Sequence, residues 1–344
     1  MMFFKRAKIA ARILLKGDPK KDKRDPIPAI TAEEVAEIKQ FFPRDKFFVF
    51  GHARSGTTLL TRFVRLHPEV HCNYQAHFFT RQPLLKSLVD SPEAEEWLRR
   101  KSNRWNQGRD LSPLVLRAAA DFIMERAAAS EGKMIVGDKS PSSTIHGQAV
   151  RDMHAVYPDA KLVYIVRDGR DVLISERFRN LVEESKFLKA EDKQIIEELR
   201  KDQSQFTKGT RSIFTESVIR RMAKGWVANL KETEEEGKRL FGENYLSLRY
   251  EDLLESPFEE MTRLWKFLGV KKVDSSLGKK IKAEMESNPD EEWQAKRDGG
   301  IASFLPKGQA GNWERLFTAK DKSVFKEIAG EMLIKWKYEN NLNW

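Results

Sequence analysis

The sequence predicts an α/β fold in three layers, with a central parallel sheet and helices on both of its faces. Short apolar runs of strand length alternate with amphipathic helical segments along most of the chain. A loop bracketed by two glycines follows the first apolar run and leads into a helix. The chain has 344 residues, of which 40% are hydrophobic, so it can bury a large core. We therefore expect one large domain.

The predicted elements follow each other as strand, helix and strand. Strands are predicted at 46–50, 69–73, 133–137, 161–166 and 244–249. Helices are predicted at 56–66, 144–155, 169–180 and 250–268, with further helices up to about residue 120 and up to about residue 237. Because this alternation is typical of parallel sheets, ligand sites are expected at the carboxyl ends of the strands.

The first strand ends in a loop with the spacing of a phosphate-binding P-loop. Gly51 and Gly56 are separated by four residues, but Thr57 stands where such a loop has its lysine. That lysine contacts the β- and γ-phosphates of a triphosphate, so its absence argues against hydrolysis of ATP or GTP. The cation is instead Arg54, inside the loop. We predict that backbone N–H groups hold a single phosphate while Arg54 faces the group being transferred.

The run R-S-G-T-T at 54–58 resembles the 5′-phosphosulfate loop of sulfotransferases that use 3′-phosphoadenosine 5′-phosphosulfate (PAPS) and release adenosine 3′,5′-bisphosphate (PAP). The resemblance is to bacterial, carbohydrate-type and tyrosylprotein-type members, and it implies a P-loop-like fold. It also implies that Arg54 stabilises the leaving oxygen. The residues it assigns to the 5′-phosphate are Arg54, Ser55, Gly56, Thr57, Thr58 and Leu59. An ordinary capped turn between strand and helix is the alternative.

A second segment, Lys161–Ser175, resembles the 3′-phosphate site of that family. A predicted strand ends at Arg167, and Ser175 follows eight residues later on a predicted helix. In the family, an arginine and a serine at this spacing bind the 3′-phosphate. The alternative is an ordinary surface ion pair between Arg167 and a neighbouring aspartate, Asp168 or Asp171.

Two later segments complete the resemblance. The run YLSLRYEDLLESP resembles the family's Y-E-x-L box, which implies that Tyr250 lies against the adenine region; an ordinary core aromatic is the alternative. The run FLPKGQAGNW resembles the K-G-x-x-G-x-W segment that folds over the nucleotide, which implies that Lys307 and Gly308 close the 3′-phosphate site. Pro306 stands where some members have an arginine, so one phosphate contact is missing or comes from elsewhere.

Lys139 is the second candidate cation for catalysis. It lies in Gly137–Pro141 (GDKSP), after a predicted strand, and this run resembles the E-K-[ST]-P element of carbohydrate-type sulfotransferases. The resemblance implies that Lys139 approaches the sulfonate or the acceptor. The alternative is a lysine at the start of a helix, with the proline in its first turn.

The sequence leaves open which group removes the acceptor proton. Residues 75–79 (QAHFF) resemble an E-x-H-F-F run whose glutamate is the base in carbohydrate-type members, but Gln75 stands at its position. A neutral amide cannot take up a proton at working pH. We predict His77 as the base, on the same face as Gln75 if the segment is extended, and Asp138 as the second candidate. A structural histidine beside the two phenylalanines is the alternative.

The ends and the charged segments of the chain give further expectations. Residues 1–43 are predicted to be a basic amphipathic segment and tether, of which 1–20 either contact a membrane peripherally or pack on the domain. Residues 44–344 are predicted to form the sulfotransferase domain, and 183–213 a helical lid or a solvated insertion. One cysteine, Cys72, permits no intramolecular disulfide, and no apolar run is long enough to span a bilayer. We expect a cytoplasmic protein, and whether residues 1–20 also contact a membrane peripherally stays open.

These observations predict transfer of a sulfuryl group from PAPS to a hydroxyl or amine of an acceptor. The acceptor stays open between a carbohydrate, a lipid headgroup, a peptide tyrosine and a small alcohol. The net charge of +10 suits an anionic nucleotide, and we expect neither a nucleic-acid partner nor a metal. A small-molecule kinase or P-loop NTPase, and a nucleotide-binding scaffold with impaired catalysis, are the alternative functions; the oligomeric state stays open.

Overall fold

The centre of the molecule is a sheet of five parallel strands. The computed structural model describes residues 27–81, 84–144, 147–183, 188–287 and 308–344. The strands of this described part are β1 (Asp45–Gly51), β2 (Val70–Tyr74), β3 (Ile135–Lys139), β4 (Lys161–Val166) and β5 (Tyr245–Arg249). They lie in the order β2-β3-β1-β4-β5, and every neighbouring pair is parallel. The predicted parallel sheet is therefore confirmed.

Helices connect the strands. Those of the described residues are α1 (Ala32–Lys39), α2 (Thr57–Val64), α3 (Pro92–Arg99), α4 (Ser112–Ser130), α5 (Gly147–Val156), α6 (Gly169–Glu183), α7 (Ala190–Lys201), α8 (Ser204–Thr207), α9 (Glu216–Phe241), α10 (Tyr250–Glu255), α11 (Pro257–Leu268), α12 (Leu277–Glu286), α13 (Trp313–Leu316) and α14 (Ala319–Lys335). Two 3-10 helices, Leu85–Leu88 and Gly242–Asn244, complete the set.

The two faces of the sheet are covered by separate hydrophobic clusters. Phe48 and Phe50 of β1 point into the larger cluster, which includes residues of α4, α5, α6, α9 and α14. Phe47 and Val49 point into the other, with residues of α2, α10, α11 and α12. Successive side chains of a strand point to opposite faces, so the apolar run in β1 is buried on both sides. The three-layer α/β arrangement predicted from the sequence is confirmed.

The strand order fixes where a ligand site can form. From β1 the chain crosses to β2 at one edge, whereas from β4 it continues to β5 at the other edge. The switch point therefore lies between β1 and β4, where Gly51 is paired with Ile165. In open parallel sheets, ligands bind outside the carboxyl ends of the strands at such a point. The loops that follow these two strands, 52–56 and 167–168, emerge there side by side.

Two predicted element boundaries were wrong. Strand β3 runs to Lys139, beyond the predicted end at 137, so Asp138 and Lys139 lie inside the strand. No helix begins at Lys139, which removes the helix-start alternative for that lysine. The predicted helix 250–268 is two helices, because Pro257 lacks the N–H that a continuous helix needs and starts a new one after Ser256.

The packed structure begins ahead of residue 44. Ile30 and Ile38 are buried, and the N–H of Ile30 donates to the carbonyl of Ala155 over 2.8 Å. Thr31 and Glu34 form a capping box at the start of α1. This part of the predicted N-terminal segment is thus attached to the domain. The predicted membrane-contact residues 1–20 lie outside the described residues.

Residues 188–213 bury their apolar side chains in the core, whereas most of their charged side chains are exposed. That the segment acts as a lid stays a prediction. Ile195, Leu199 and Phe206 of α7 and α8 are buried in the larger hydrophobic cluster. The guanidinium of Arg177 on α6 donates to the carboxylate of Asp192 over 2.6 Å, and this pair is buried. The apolar positions within this charged segment therefore decided its packing.

Candidate active site

The loop after β1 has the backbone geometry of an anion cradle. Arg54 and Gly56 have φ values of 73° and 83°, in the left-handed region. The N–H of Ser55 donates to the carbonyl of His52 over 3.1 Å, which closes a tight turn. Helix α2 begins at Thr57, and its first N–H groups have no partners within the helix. A glycine-bracketed loop that leads into a helix start is an arrangement that many anion-binding sites share.

The ring of Tyr250 packs directly on this loop. A Cβ atom added to Gly56 would lie 2.1 and 2.3 Å from two carbons of the ring. The phenol hydroxyl donates to the carbonyl of Gly308 over 2.7 Å. Tyr250 is also part of the hydrophobic cluster on that face of the sheet. Its ring thus joins the loop after β1 to the late segment that begins at Gly308.

Arg167, at the end of β4, reaches into the same place. Its guanidinium donates to the carbonyl of Arg54 over 3.2 Å and to the carbonyl of Gln309 over 2.8 Å. It lies 4.8 Å from the centre of the Tyr250 ring. The guanidinium is nearly buried, and its distance to the carboxylate of Asp171 is 3.9 Å. The alternative of a surface ion pair is therefore wrong, because both side chains are withdrawn from solvent.

Ser175 meets the loop through the side chain of Arg54. The Nε atom of Arg54 donates to the Ser175 hydroxyl over 2.9 Å, across the gap between the loop and α6. Arg167 contacts the backbone of the same arginine. The structure therefore brings Arg54, Arg167 and Ser175 together. The contact between Arg54 and Ser175 was not predicted, and the binding of a 3′-phosphate by Arg167 and Ser175 stays a prediction.

Asp171 fixes the late segment over this cluster. Its carboxylate accepts from the N–H groups of Gly311 over 2.7 Å and of Trp313 over 3.1 Å. Burial raises the pKa of the Asp171 carboxyl, and the guanidinium of Arg167 opposes that shift. Gly308 lies beside Tyr250, whereas Lys307 lies outside the described residues. Asp171 thus takes part in the site by holding backbone rather than by pairing at the surface.

Lys139 points from the end of β3 toward the helix start. Its Nζ atom lies 3.5 Å from the hydroxyl of Thr58 and 5.3 Å from the centre of the Tyr74 ring. The side chain is buried, and burial lowers the pKa of the ammonium group. A second cation therefore stands at the helix start, beside the loop that carries Arg54.

Asp138 holds the neighbouring loop in place. Its carboxylate accepts from the N–H of Ala76 over 2.9 Å and from the hydroxyl of Ser140. The Ser140 hydroxyl oxygen in turn accepts from the N–H of His77 over 2.9 Å. Burial raises the pKa of Asp138 to about 6. The side chain is fully buried, so Asp138 fixes the backbone of this loop through direct contacts.

His77 is half-buried at the turn of this loop. Its Nδ1 atom lies 2.9 Å from the hydroxyl of Thr80. Burial lowers the pKa of the imidazole, and the nearby cations Arg81 and Lys139 lower it further. Gln75 and His77 have φ values of 57° and 54°, so the segment is not extended. The prediction that the two side chains share one face is therefore wrong. The contact with Thr80 agrees with the alternative, in which His77 is a hydrogen-bonded structural histidine.

Two buried polar atoms at this site have no hydrogen-bond partner within the part of the chain that the structure describes. They are the Ser55 hydroxyl, in the loop after β1, and the Nε atom of Arg167. A buried polar group without a partner costs about 1–3 kcal/mol. Such groups are common where a ligand supplies the partner. Together with the cations Arg54 and Lys139, they fit an anionic ligand that carries phosphate groups.

The family model described as "Sulfotransferase family" matches residues 45–275, which is more than half of the chain. This match starts at β1 and includes the loop, Lys139, Arg167 and Tyr250. The chain belongs to the sulfotransferase family.

Two curated relatives of this sulfotransferase are similar over part of their length. Protein-tyrosine sulfotransferase A of Caenorhabditis elegans is 25% identical over 227 residues, which cover 65% of this chain and 49% of that protein. The protein-tyrosine sulfotransferase of Drosophila melanogaster is 25% identical over 233 residues, which cover 67% of this chain and 39% of that protein. The chain thus spans half or less of the curated relatives that it matches.

Solved sulfotransferase structures are also similar to this chain. A mouse sulfotransferase complexed with PAP has a TM-score of 0.45 and 16% identity, covering 88% of this chain and 90% of that one. A sulfotransferase from Alicyclobacillus acidocaldarius has a TM-score of 0.40 and 20% identity, covering 86% of this chain and 99% of that one.

Sequence reasoning missed two residues that organise the site of this sulfotransferase. Asp171 was considered only as a surface partner of Arg167, and Ser140 was not considered. The run R-D-G-R-D at 167–171 carried a signal for Asp171, because this aspartate lies in the first turn of the helix that follows a strand end facing a ligand site. Ser140 carried none, because its link to the other loop is a hydrogen bond from the backbone N–H of His77, which is distant in sequence.

Neither a metal site nor a membrane-spanning helix is present among the described residues. No group of three His, Cys, Asp or Glu side chains is arranged as a metal site among them. No helix in the described ranges is both long and apolar enough to cross a membrane.

Replacement of Gly56 tests the contact between the loop and Tyr250. We expect Gly56→Ala to lower the free energy of unfolding by about 1–3 kcal/mol through overpacking, in addition to the cost of its left-handed backbone. Gly132→Ala is the matched control, because Gly132 has a φ of 66° and no atom within 4 Å of an added Cβ. The control should show only the backbone cost of about 1–2 kcal/mol. If urea unfolding showed equal losses of unfolding free energy in Gly56→Ala and Gly132→Ala, the contact between Gly56 and the Tyr250 ring would be unimportant.

Proposed function

We propose that this sulfotransferase transfers a sulfuryl group from PAPS to a hydroxyl or amine of an acceptor. The observation that carries the proposal is the cluster at the switch point of the sheet. There the buried guanidinium of Arg167, with its Nε atom available to a ligand, adjoins the glycine loop and Arg54. This arrangement suits a nucleotide with phosphates at two separate positions.

The positions of the groups support the nucleotide-binding roles that we propose. The N–H groups of the loop and of the start of α2, with the hydroxyls of Thr57 and Thr58, would bind the 5′-phosphate. Arg167 and Ser175 would bind the 3′-phosphate, to which charge-assisted hydrogen bonds from a guanidinium are well suited. The sequence resemblance adds Lys307 and Gly308 to that site. Tyr250 would line the adenine region next to the loop.

The transfer itself needs three contributions from the protein: stabilisation of the departing phosphate oxygen, neutralisation of charge on the sulfonate, and a base that takes the acceptor's proton. The S–O bond to the 5′-phosphate breaks while a new S–O or S–N bond forms at the acceptor, and the acceptor's proton passes to a base. By analogy with phosphoryl transfer, catalysis is then mainly positioning and charge stabilisation. Arg54 would stabilise the departing phosphate oxygen, and Lys139 would approach the sulfonate or the acceptor. No step in this scheme requires a metal.

The base is proposed to be His77, with Asp138 as a positioning residue. The half-buried imidazole has a lowered pKa, so it is neutral near pH 7 and can accept a proton. Asp138 is fully buried and holds the backbone of Ala76. The exposed amide of Gln75 cannot act as a base, which keeps a scaffold with impaired catalysis as the second candidate.

Profiles of rate against pH separate these roles. Because protonation inactivates a base, we expect wild-type activity to fall as the pH drops through the lowered pKa of His77, below its ordinary 6.5. In His77→Asn, most activity and this acidic limb should be lost together. In Asp138→Asn, the limb should persist at a reduced rate, because an amide has one acceptor oxygen for the two groups that the carboxylate accepts from, the Ala76 N–H and the Ser140 hydroxyl. A wild-type profile in both variants would exclude both residues as the base.

The acceptor class remains a hydroxyl or amine of an unidentified molecule. The curated relatives are named protein-tyrosine sulfotransferases, so a peptide tyrosine stands beside a sugar, a lipid headgroup and a small alcohol as an acceptor to test. Incubation with ³⁵S-labelled PAPS and fractionated cell extract should label one acceptor fraction. Arg54→Ala, as the control, should not label that fraction. PAP binding without labelling of any fraction would favour the scaffold.

A further inference from the structure

Tyr338, which follows α14, is linked to the turn between β4 and α6. Its phenol hydroxyl donates to the carboxylate of Glu251 over 2.8 Å. The same carboxylate accepts from the backbone N–H of Asp168 over 3.0 Å. Asp168 directly follows Arg167, whose guanidinium belongs to the proposed 3′-phosphate site. A residue that is distant in sequence thus holds the backbone next to Arg167.

Glu339 reaches the same turn through Arg170. Its carboxylate accepts from the guanidinium of Arg170. That guanidinium also donates to the carboxylate of Asp168, from Nε over 3.0 Å and from Nη2 over 2.6 Å. The side chains of Arg170 and Glu339 are only 2% and 20% exposed, so these charge-assisted hydrogen bonds are largely shielded from water. Both the N–H and the carboxylate of Asp168 therefore depend on residues that follow α14.

Trp344 packs Arg170 against the late segment. The Cζ atom of Arg170 lies 3.7 Å from the centre of the Trp313 ring and 4.5 Å from that of the Trp344 ring. The two rings contact each other edge to face, with their centres 5.6 Å apart. The N–H of Trp313 donates to Asp171. Because a cation over an aromatic face is attracted to it, the Trp344 ring helps to fix both the turn and the late segment.

The end of α14 is built to turn these residues toward the site. Lys337 has a φ of 59°, in the left-handed region, and the N–H of Tyr338 donates to the carbonyl of Leu333 over 2.9 Å. A left-handed residue after a helix reverses the direction of the chain. A Cβ atom added to Gly330 would lie 2.6 Å from the Leu342 side chain, so the returning chain packs closely on α14. We define the brace by Tyr338, Glu339 and Trp344.

We propose that the brace positions Arg167 for the 3′-phosphate of the donor. This inference rests on the PAPS-dependent function proposed above. Arg167 can meet a phosphate at its place beside the loop only while the turn after β4 is held. A group that is already in place before binding costs less to immobilise than one that the ligand must order. The brace acts through Arg170 and Glu251, so its members are positioning residues and not catalytic ones.

Titration with two nucleotides tests the brace on the full chain. In Tyr338→Phe with Glu339→Gln, the affinity for PAP should fall about five- to tenfold, because two hydrogen bonds that hold the turn are weakened or lost. Trp344→Ala should lower it as well, because Arg170 loses one of its two rings. The affinity for adenosine 5′-phosphosulfate, which has no 3′-phosphate, should stay close to that of wild type. General destabilisation would weaken both nucleotides alike.

A matched control lies at the opposite end of β5. The hydroxyl of Tyr245, the first residue of that strand, donates to Glu234 over 2.6 Å. The carboxylate of Glu236, 21% exposed, pairs with Arg151 over 3.0 Å. Tyr245→Phe with Glu236→Gln therefore removes the same two chemical groups, away from the turn. This control should keep the wild-type affinity for PAP.

Amide hydrogen exchange without nucleotide separates this inference from the proposed function. Because the brace holds the turn, residues 167–171 should exchange faster in both brace variants than in wild type and in the control. Three results would overturn the inference while wild type binds PAP: wild-type PAP affinity in the brace variants, equal losses for both nucleotides, or unchanged exchange. Failure of wild type to bind PAP would instead refute the proposed function and this role of the brace together.

Discussion

Arg54→Ala should lose about 100- to 1,000-fold in turnover, the usual cost of removing one preorganised group that stabilises charge in a transition state. Its affinity for PAP should stay close to that of wild type. The contact with Arg167 uses the backbone carbonyl of Arg54, which the substitution keeps. The side chain, whose Nε atom donates to the Ser175 hydroxyl in this structure, is the part that we propose to stabilise the leaving oxygen. Turnover at saturating PAPS and calorimetry with PAP measure the two effects separately.

Two further variants show whether the charge itself is responsible. Arg54→Lys keeps a cation and should retain part of the activity, although it loses the planar guanidinium. Ser175→Ala removes the partner of the Arg54 Nε atom and keeps the charge, so its turnover at saturation should fall much less. Wild-type turnover in Arg54→Ala would reduce this arginine to a loop residue.

Arg167→Ala should weaken PAP by about 2–5 kcal/mol, the loss typical when one partner of a buried charge pair is truncated. The guanidinium is buried beside the loop, and its Nε atom has no partner among the described residues. Adenosine 5′-phosphosulfate has no 3′-phosphate, so its affinity should fall much less. Titration of both nucleotides against wild type and variant measures this difference.

The comparison of the two nucleotides also controls for structural damage. Arg167 holds the carbonyls of Arg54 and Gln309, so its removal can disturb the loop. Such a disturbance would weaken both nucleotides to the same degree. Equal losses would therefore refute the assignment of Arg167 to the 3′-phosphate.

Much of the fold could be predicted because its strands are apolar on both faces and are separated by amphipathic helices. The end of β3 could not, since Gly137, Asp138 and Lys139 have little preference for strands. They are extended because they pair on both sides, with β1 and with β2. Tertiary pairing thus decided a boundary that local preference could not show.

The positions of Arg54 and Arg167 could be predicted because motif and topology agree: each follows the carboxyl end of a strand. The contact between Arg54 and Ser175 could not be predicted. The loop around His77 could not. Its left-handed backbone at Gln75 and His77 depends on hydrogen bonds to Asp138 and Ser140, which are distant in sequence. Spacing along the chain carries no information about such contacts, so the extended conformation assumed for this segment was wrong.

Calorimetric titration of the full chain with PAP, and with ATP in the presence of Mg²⁺, tests the central claim most directly. A loop with Thr57 in place of the P-loop lysine, next to the buried Arg167, should bind PAP much more tightly than ATP. It should also bind PAP equally well without Mg²⁺. Tighter binding of ATP than of PAP, dependent on Mg²⁺, would contradict the sulfuryl-transfer account and favour a kinase or NTPase.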